Sequence, residues 1–307
     1  MWLPEPGWHP LPGAAGPSTV GVWRTATPER ALVVKRLAVP GPHDLPELSD
    51  PRHFAYWRRE ADVLAGGLAA VLPGVRGQAD GHLEVEEDAE GITVTQDWVE
   101  DACTSGLFVA HALGRLAGAS AEQAARAGVP LARDQLRDRL GRVSARGGWT
   151  TLARTTVSDV ADHLWSRRST WLDRLDALPQ VLQHGDPTPA NLRGRDGDDV
   201  LAVDWGSLGT GPVGGDLGYY SLAAREDLAP LLDAFLLGLP TDLASADDVL
   251  LGARVTAVYT ALTRADWALG RVAPGEGALA GKFRHPSVAP YLRSLQRQSE
   301  AIDAMIG

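Results

Sequence analysis

A polar run set between apolar segments constrains this chain most. Residues 184–191 read His184-Gly185-Asp186-Pro187-Thr188-Pro189-Ala190-Asn191, and after a short turn Val200-Leu201-Ala202-Val203-Asp204-Trp205 follows. Asp186, Asn191 and Asp204 therefore belong to one loop-and-hairpin unit, the last carried at the end of an apolar strand. One carboxylate to orient a hydroxyl, and an amide with a second carboxylate to hold Mg²⁺, is the donor set that phosphoryl transfer from ATP needs. Asp196-Gly197-Asp198-Asp199, inside the same unit, lacks the spacing and closing glutamate of a calcium loop and reads as a solvated hairpin turn.

A chain of 307 residues, 44% hydrophobic with dispersed charge, can bury a sizeable core as one large domain or two modest ones. Its formal net charge of -10 argues against nucleic acid as a partner and favours a neutral or cationic small substrate, or simply solubility. The single Cys103 excludes an internal disulfide and fits a reducing compartment. The N-terminus has no basic run followed by an apolar core, and no apolar run reaches membrane-spanning length, so a cytoplasmic protein is expected. Of the 29 basic residues only Lys35 and Lys282 are lysine. In a chain that otherwise uses arginine, a retained lysine is a candidate for a task arginine cannot perform.

The first third reads as β-rich. Strands are predicted at Trp8–Pro12, Val20–Arg24 and Ala31–Lys35, and a hairpin over 83–85 and 92–94 around Asp88-Ala89-Glu90-Gly91. Phe54, Trp57, Ala61 and Leu64 have helical spacing, which predicts a helix from His53 to Leu64. Beyond about residue 100 the pattern is mostly helical, with helices over 107–117, 121–126, 131–143 and 157–175 before the polar run, and over 214–237, 245–270 and 286–305 after it. The predicted fold class is α+β, a small β-rich lobe (1–98) followed by a larger helical lobe (99–307), with chemistry at their junction.

His184-Gly185-Asp186 through Asn191, then Asp204-Trp205 and Gly215-Asp216-Leu217, resembles the catalytic block of the aminoglycoside phosphotransferase and choline kinase family. The likeness is detailed over 181–220 and extends in organisation over 8–102. It implies a bilobal protein-kinase-like fold and an ATP- and Mg²⁺-dependent transfer of the γ-phosphate to a hydroxyl. By the same resemblance Asp186 is the catalytic aspartate, Asn191 and Asp204 the metal ligands, His184 a brace of the loop and Asp216 a buried tie beneath it. Lys35 resembles the lysine that contacts the ATP phosphates, with Glu60 on the next helix as its partner. Gly13 to Thr19 would cover the phosphates, with Ser18 or Thr19 contributing a hydroxyl, although a plain turn reads the same way. Residues 96–100, centred on Trp98 and Val99, would be the hinge that meets adenine.

The acceptor is less legible. Glu226, Asp227, Asp242, Asp247, Asp248 and Asp266, with Trp267 and Tyr259 as walls, are the candidates for a pocket that takes a cationic molecule, and ordinary solvated helix faces read the same. An antibiotic of the aminoglycoside type, a metabolite, or a serine or threonine in a peptide all remain open as acceptors. A nucleotide-binding protein that does not catalyse transfer is the competing class. The oligomeric state is not written in the sequence.

Overall fold

Two antiparallel hairpins build the N-terminal sheet. The structure is a computed structural model that describes residues 2–11, 16, 18–102, 104–128, 130–145, 158–271 and 289–294. Strand β1 (His9–Pro10) lies at one edge, followed by β2 (Thr19–Ala26) and β3 (Ala31–Ala38). The β2–β3 turn is closed by Thr27 Oγ1, which accepts from the amides of Glu29 and Arg30. Lys35 lies within β3, opposite Val22 and Val94, and the strand continues past it to Ala38 where the sequence predicts an end. It can continue because Arg36, buried in the sheet, donates to Thr93 Oγ1 at 3.0 Å and to Asp88 at 2.6 Å.

The helix expected from His53 begins only at Arg59, as α1 (Arg59–Ala65). Before it, the amides of His53, Tyr56 and Arg59 each bond back three residues, to Asp50, His53 and Tyr56. Trp57 donates to Leu48, so this stretch is a chain of turns. Strand β4 (Val75–Arg76) follows, then β5 (Leu83–Asp88) and β6 (Gly91–Asp97), which form the expected hairpin. The five-stranded sheet runs β1-β2-β3-β6-β5.

Helices then take over. α2 (Gly106–Ala117) is capped by Ser105, whose Oγ accepts from Phe108, and α3 (Ala121–Ala127) opens on a Ser120/Gln123 capping box. α4 is Leu131–Ala145. The helix expected over 157–175 is divided at Arg167 into α5 (Ser158–Ser166) and α6 (Arg168–Asp176). Four short strands follow: β7 (Gln180–Gln183), β8 (Leu192–Asp196), β9 (Asp199–Ala202) and β10 (Gly209–Pro212). β8 and β9 form the expected hairpin, β9 also pairs in parallel with β4, and β10 pairs with β7.

The helix expected over 214–237 is likewise two, α7 (Gly215–Ser221) and α8 (Leu228–Gly238), because Asp227 is extended (φ -69, ψ 160) and restarts the chain. α9 (Ala246–Arg271) is the long terminal helix, and residues 289–294 are helical. Gly270 and Arg271, expected to open a connection, still belong to α9; the rest of that connection (272–281), Lys282 and most of the predicted 286–305 helix lie outside the described residues. The core is continuous from Leu64 and Val94 through Leu113, Leu192 and Val200 to Leu217 and Val258. Among the described residues no helix is long and apolar enough to cross a membrane.

Candidate active site

The polar run folds into a loop whose shape is set from beneath. Gly185 has φ +80, and a Cβ there would stand 2.2 Å from the carbonyl oxygen of Ser207, so glycine is required twice over. Asp216, at the start of α7, accepts from the amide of His184 at 2.7 Å and from that of Gly185 at 3.0 Å. Burial pushes the Asp216 carboxyl up to about 6 against the pull of His184 and the two amides. The fully buried His184 ring bridges the loop and β9. Its Nδ1 accepts from the amide of Asp186 at 3.3 Å and its Nε2 lies 3.1 Å from the carbonyl of Val203, a pair of partners that puts the ring proton on Nε2.

Asp186 emerges from this support. Asn191 Nδ2 donates to its carbonyl at 2.9 Å and to Oδ2 at 3.2 Å, which turns the amide oxygen of Asn191 away from Asp186. The carbonyl of Asn191 in turn accepts from Val203, the residue before Asp204. Asp204 has φ 64, the one non-glycine residue with positive φ among the described residues, a conformation costing about 1–2 kcal/mol. That backbone turn aims its carboxylate back towards β3.

There Lys35 Nζ lies 2.5 Å from Glu60 Oε2 and 2.9 Å from Asp204 Oδ1. Burial opposes the ammonium charge, but the two carboxylates outweigh it and hold Lys35 above its usual range. Lys35 in turn holds the Asp204 carboxyl below its usual range. The side chains of Lys35 and Glu60 are largely covered, whereas that of Asp204 is 44% exposed. One carboxylate and one amide oxygen on a polar edge suit Mg²⁺, which binds through few protein oxygens and completes its shell with water and phosphate. No cluster of three or more His, Cys, Asp or Glu suited to a metal occurs among the described residues. Asp196 and Asp199 close the β8–β9 turn and pair with Arg76, which agrees with their reading as a turn.

In the predicted hinge the amide of Trp98 donates to Ala31 at 2.9 Å, which extends the sheet. The indole lies between the guanidinium groups of Arg24 and Arg193, at 4.6 and 4.5 Å. Val99 is buried at the start of the connection to α2. Most of the Gly13 to Thr19 loop falls outside the described residues. Of its end, the Ser18 carbonyl accepts from Ala38, the Ser18 hydroxyl is buried without a partner among the described residues, and the Thr19 amide donates to Gly16.

Sequence reasoning missed the other side of Asp186. Arg264 of α9 donates from Nη2 to Asp186 Oδ1 at 2.6 Å, and the hydroxyl of Tyr219 of α7 donates to the same oxygen. Burial opposes the Arg264 charge, but Tyr219 and Asp186 outweigh it and hold the guanidinium above its usual range. Arg139 of α4 lies beside Tyr219, and burial together with the neighbouring Arg264 holds its guanidinium below its usual range. Gln135, with its amide oriented to satisfy both ends, accepts from Arg139 at 2.8 Å and donates to the Gly185 carbonyl at 3.0 Å.

The acidic candidates do other things. Glu226 accepts from the amide of Gly106 at the start of α2, Asp248 accepts from Ser245 at the start of α9, and Asp242 and Asp247 face solvent. Asp227 opens α8, and Asp266 is part-buried on α9. Tyr259 is not a pocket wall: it is fully buried and its hydroxyl donates to Leu164 at 2.8 Å. Trp267 is 45% exposed, with its ring 5.8 Å from the Arg264 guanidinium.

The model of the phosphotransferase enzyme family (APH) matches residues 12–248. Among solved structures, the chain is similar to the amicoumacin kinase hAmiN in complex with AMP-PNP, Ca²⁺ and Ami, with a TM-score of 0.59 at 13% identity over 97% of this chain and 89% of that one. It is similar to aminoglycoside 2′-phosphotransferase-IIIa in its GDP complex, with a TM-score of 0.58 at 12% identity over 96% and 92%. A third similar structure is the choline kinase LicA from Streptococcus pneumoniae, with a TM-score of 0.55 at 12% identity over 95% and 93%. At these identities the likeness is one of fold, and the fold is the bilobal, protein-kinase-like α+β arrangement that the sequence predicts. No curated protein matches the chain by sequence.

Proposed function

The chain belongs to the phosphotransferase enzyme family, and from that membership we propose that it is an ATP- and Mg²⁺-dependent kinase of a small-molecule hydroxyl. The observation that supports this best is the convergence of Asp186, Asn191, Asp204, Lys35 and Glu60 from four separate segments onto one polar edge. Lys35, charged and held between Glu60 and Asp204, is the cation for the nucleotide phosphates. Ser18, whose buried hydroxyl has no partner among the described residues, and Thr19 at the start of β2 are the candidates to meet the phosphates. Val99 and the residues after it, beyond the amide of Trp98, are the stretch offered to the base.

Asn191 and Asp204 are the residues that would hold Mg²⁺, which supplies charge neutralisation on the phosphates when bound. Asp186 orients the acceptor hydroxyl and takes its proton. The acceptor oxygen forms a bond to the γ-phosphorus as the bond from that phosphorus to the bridging oxygen breaks, and ADP leaves with the electron pair. Because the transition state is loose, the orientation given by Asp186 counts for as much as its basicity. His184 and Asp216 hold the loop and do not touch the reacting atoms.

The test is Mg²⁺-dependent ADP release with a panel of hydroxyl acceptors. Asp186→Asn should reduce turnover by about a hundredfold or more while stabilisation by Mg·ATP persists. Equal turnover in both proteins would remove the role given to Asp186. Stabilisation by Mg·ATP without transfer to any acceptor would favour a binding protein instead.

A further inference from the structure

On the Oδ1 side of Asp186 two guanidinium groups meet one carboxylate. Arg264 and Arg139 both approach the Tyr219 hydroxyl, and among the described residues Asp186 is the one carboxylate that Arg264 pairs with. Arg139 has no carboxylate within ion-pair distance among the described residues, and it is held by an amide and a phenol. Arg264 also keeps a buried Nε–H that no described residue accepts. A covered guanidinium without an anion is costly, as is a buried donor without an acceptor, and in a chain of net charge -10 such an excess is not a general surface property.

The excess also has a direction. Asn191 approaches Asp186 at Oδ2, whereas Arg264 and Tyr219 approach at Oδ1, from α9 and α7. Arg264 and Tyr219 thus mark the Oδ1 face of Asp186, at the oxygen that Asn191 does not take. Trp267, half-exposed beside Arg264, offers that face a flat apolar wall.

We infer that this face is an oxyanion seat, and that the acceptor carries a carboxylate, phosphate or sulfate group close to the hydroxyl it presents; the inference rests on the phosphotransfer reading above. Arg264 and Arg139 recognise the oxyanion, the Nε and Nη groups of Arg264 matching its planar or tetrahedral oxygens in pairs. An oxyanion that draws Arg264 towards itself withdraws the guanidinium from Oδ1 of Asp186 and leaves that oxygen to the hydroxyl. Acceptor recognition and the release of Asp186 are then one event. Arg264 and Arg139 are specificity residues, and the family's cationic acceptors would meet two like charges here.

The test uses the full chain saturated with Mg·AMP-PNP, so that the triphosphate contacts are filled and an added anion reports on the acceptor face. Binding of sodium sulfate, D-glycerate and L-serine is compared by calorimetry and thermal shift with glycerol, choline and kanamycin at fixed ionic strength. The anions should bind while choline and kanamycin do not. Arg139→Gln and Arg264→Gln should each weaken sulfate binding by about tenfold or more, with Arg264→Lys intermediate. Arg139→Gln leaves the Arg264–Asp186 contact in place, so it keeps the test valid should Arg264→Gln fold poorly. Unchanged sulfate affinity in both Gln variants, preferential binding of choline or kanamycin, or no anion binding to wild type at about 20 mM overturns the inference. Failure of the phosphotransfer reading has a different signature: Mg·AMP-PNP alone gives wild type no stabilisation, and the oxyanion seat falls with it.

Discussion

Arg264 and Asp186, 78 residues apart in the chain, meet through a 2.6 Å hydrogen bond that joins the long helix α9 to the loop beneath the hairpin. Each side chain is about four-fifths covered, so the contact lies between the weak surface case and the fully buried one. Arg264→Ala should therefore cost about 2 kcal/mol of stability, and Tyr219→Phe about 1 kcal/mol. Urea midpoints at constant slope read both. Two variants indistinguishable from wild type would reduce the contact to a surface pair of no energetic weight.

Removal of the Asp204 carboxylate separates nucleotide binding from folding. Asp204→Ala takes away the proposed metal oxygen and one partner of Lys35, while Glu60 still pairs with the ammonium. At a nucleotide concentration of about a hundred times Kd, wild type should gain about 2.7 kcal/mol from Mg·ATP, and the variant should gain almost none. A full thermal shift in Asp204→Ala would withdraw the metal assignment.

Lys35→Ala is expected to be worse than Lys35→Met. The alanine leaves a void beside the buried carboxylate of Glu60, and either change leaves that charge without its cation. A loss of about 3 kcal/mol is expected, most of it recovered in the double variant Lys35→Met/Glu60→Leu. Phosphotransfer should be absent in all three. Recovery of stability without activity is the outcome that distinguishes the two roles of this lysine.

Stability and activity should respond to pH in opposite directions through Asp216. Its folded value of about 6 lies above the unfolded aspartate value of about 3.9, so the folded state binds this proton more tightly. The contribution is fully present below about pH 4 and is lost as pH rises through about pH 6, a change of up to about 3 kcal/mol relative to Asp216→Asn. The ionised carboxylate, however, is the form that best accepts from both His184 and Gly185, so activity should rise across the same window. Unfolding measured in both proteins from pH 4 to 7 checks the sign, and parallel curves would contradict it.

Gly185→Ala should distort the loop more than any nearby surface change. The added methyl collides with the Ser207 carbonyl, and the backbone is left-handed, so about 3 kcal/mol or more is at stake. Retained turnover at wild-type stability would mean that the loop can rearrange around the new side chain.

The chemistry of the hairpin was legible because it is local. Asp186, Asn191 and Asp204 lie within 19 positions, and an apolar strand next to a carboxylate is visible in the sequence. Lys35 stands out because the chain otherwise uses arginine, and its pairing with Glu60 is what the kinase resemblance implies. Arg264, Tyr219 and Arg139 were not legible, because only packing of α9, α7 and α4 brings them to Asp186. A weak signal did exist: Arg264 interrupts the apolar run Ala257, Val258, Ala261, Leu262 and Ala265, all buried on α9. A charge on a buried helix face needs a partner, but the sequence does not say which. The missed boundaries have the same origin. Phe54 and Trp57 keep helical spacing within a series of three-residue turns, and two-residue strands such as β4 are too short to show alternation.

β4 has a mechanical consequence. Val75, completely buried, runs parallel to Val200 in the strand that leads to Asp204. The chain leaves the five-stranded sheet after β3, lays β4 against that hairpin, and only then returns as β5. The sheet is thus moored to the helical part at this excursion as well as at the connection after β6. A rotation of the five-stranded sheet would have to be taken up by the connections on both sides of β4 as well as by the one after β6, so release of a nucleotide from the proposed site is expected to be limited by the β4 connections. Lengthening the connection between β6 and α2 should leave the release rate unchanged.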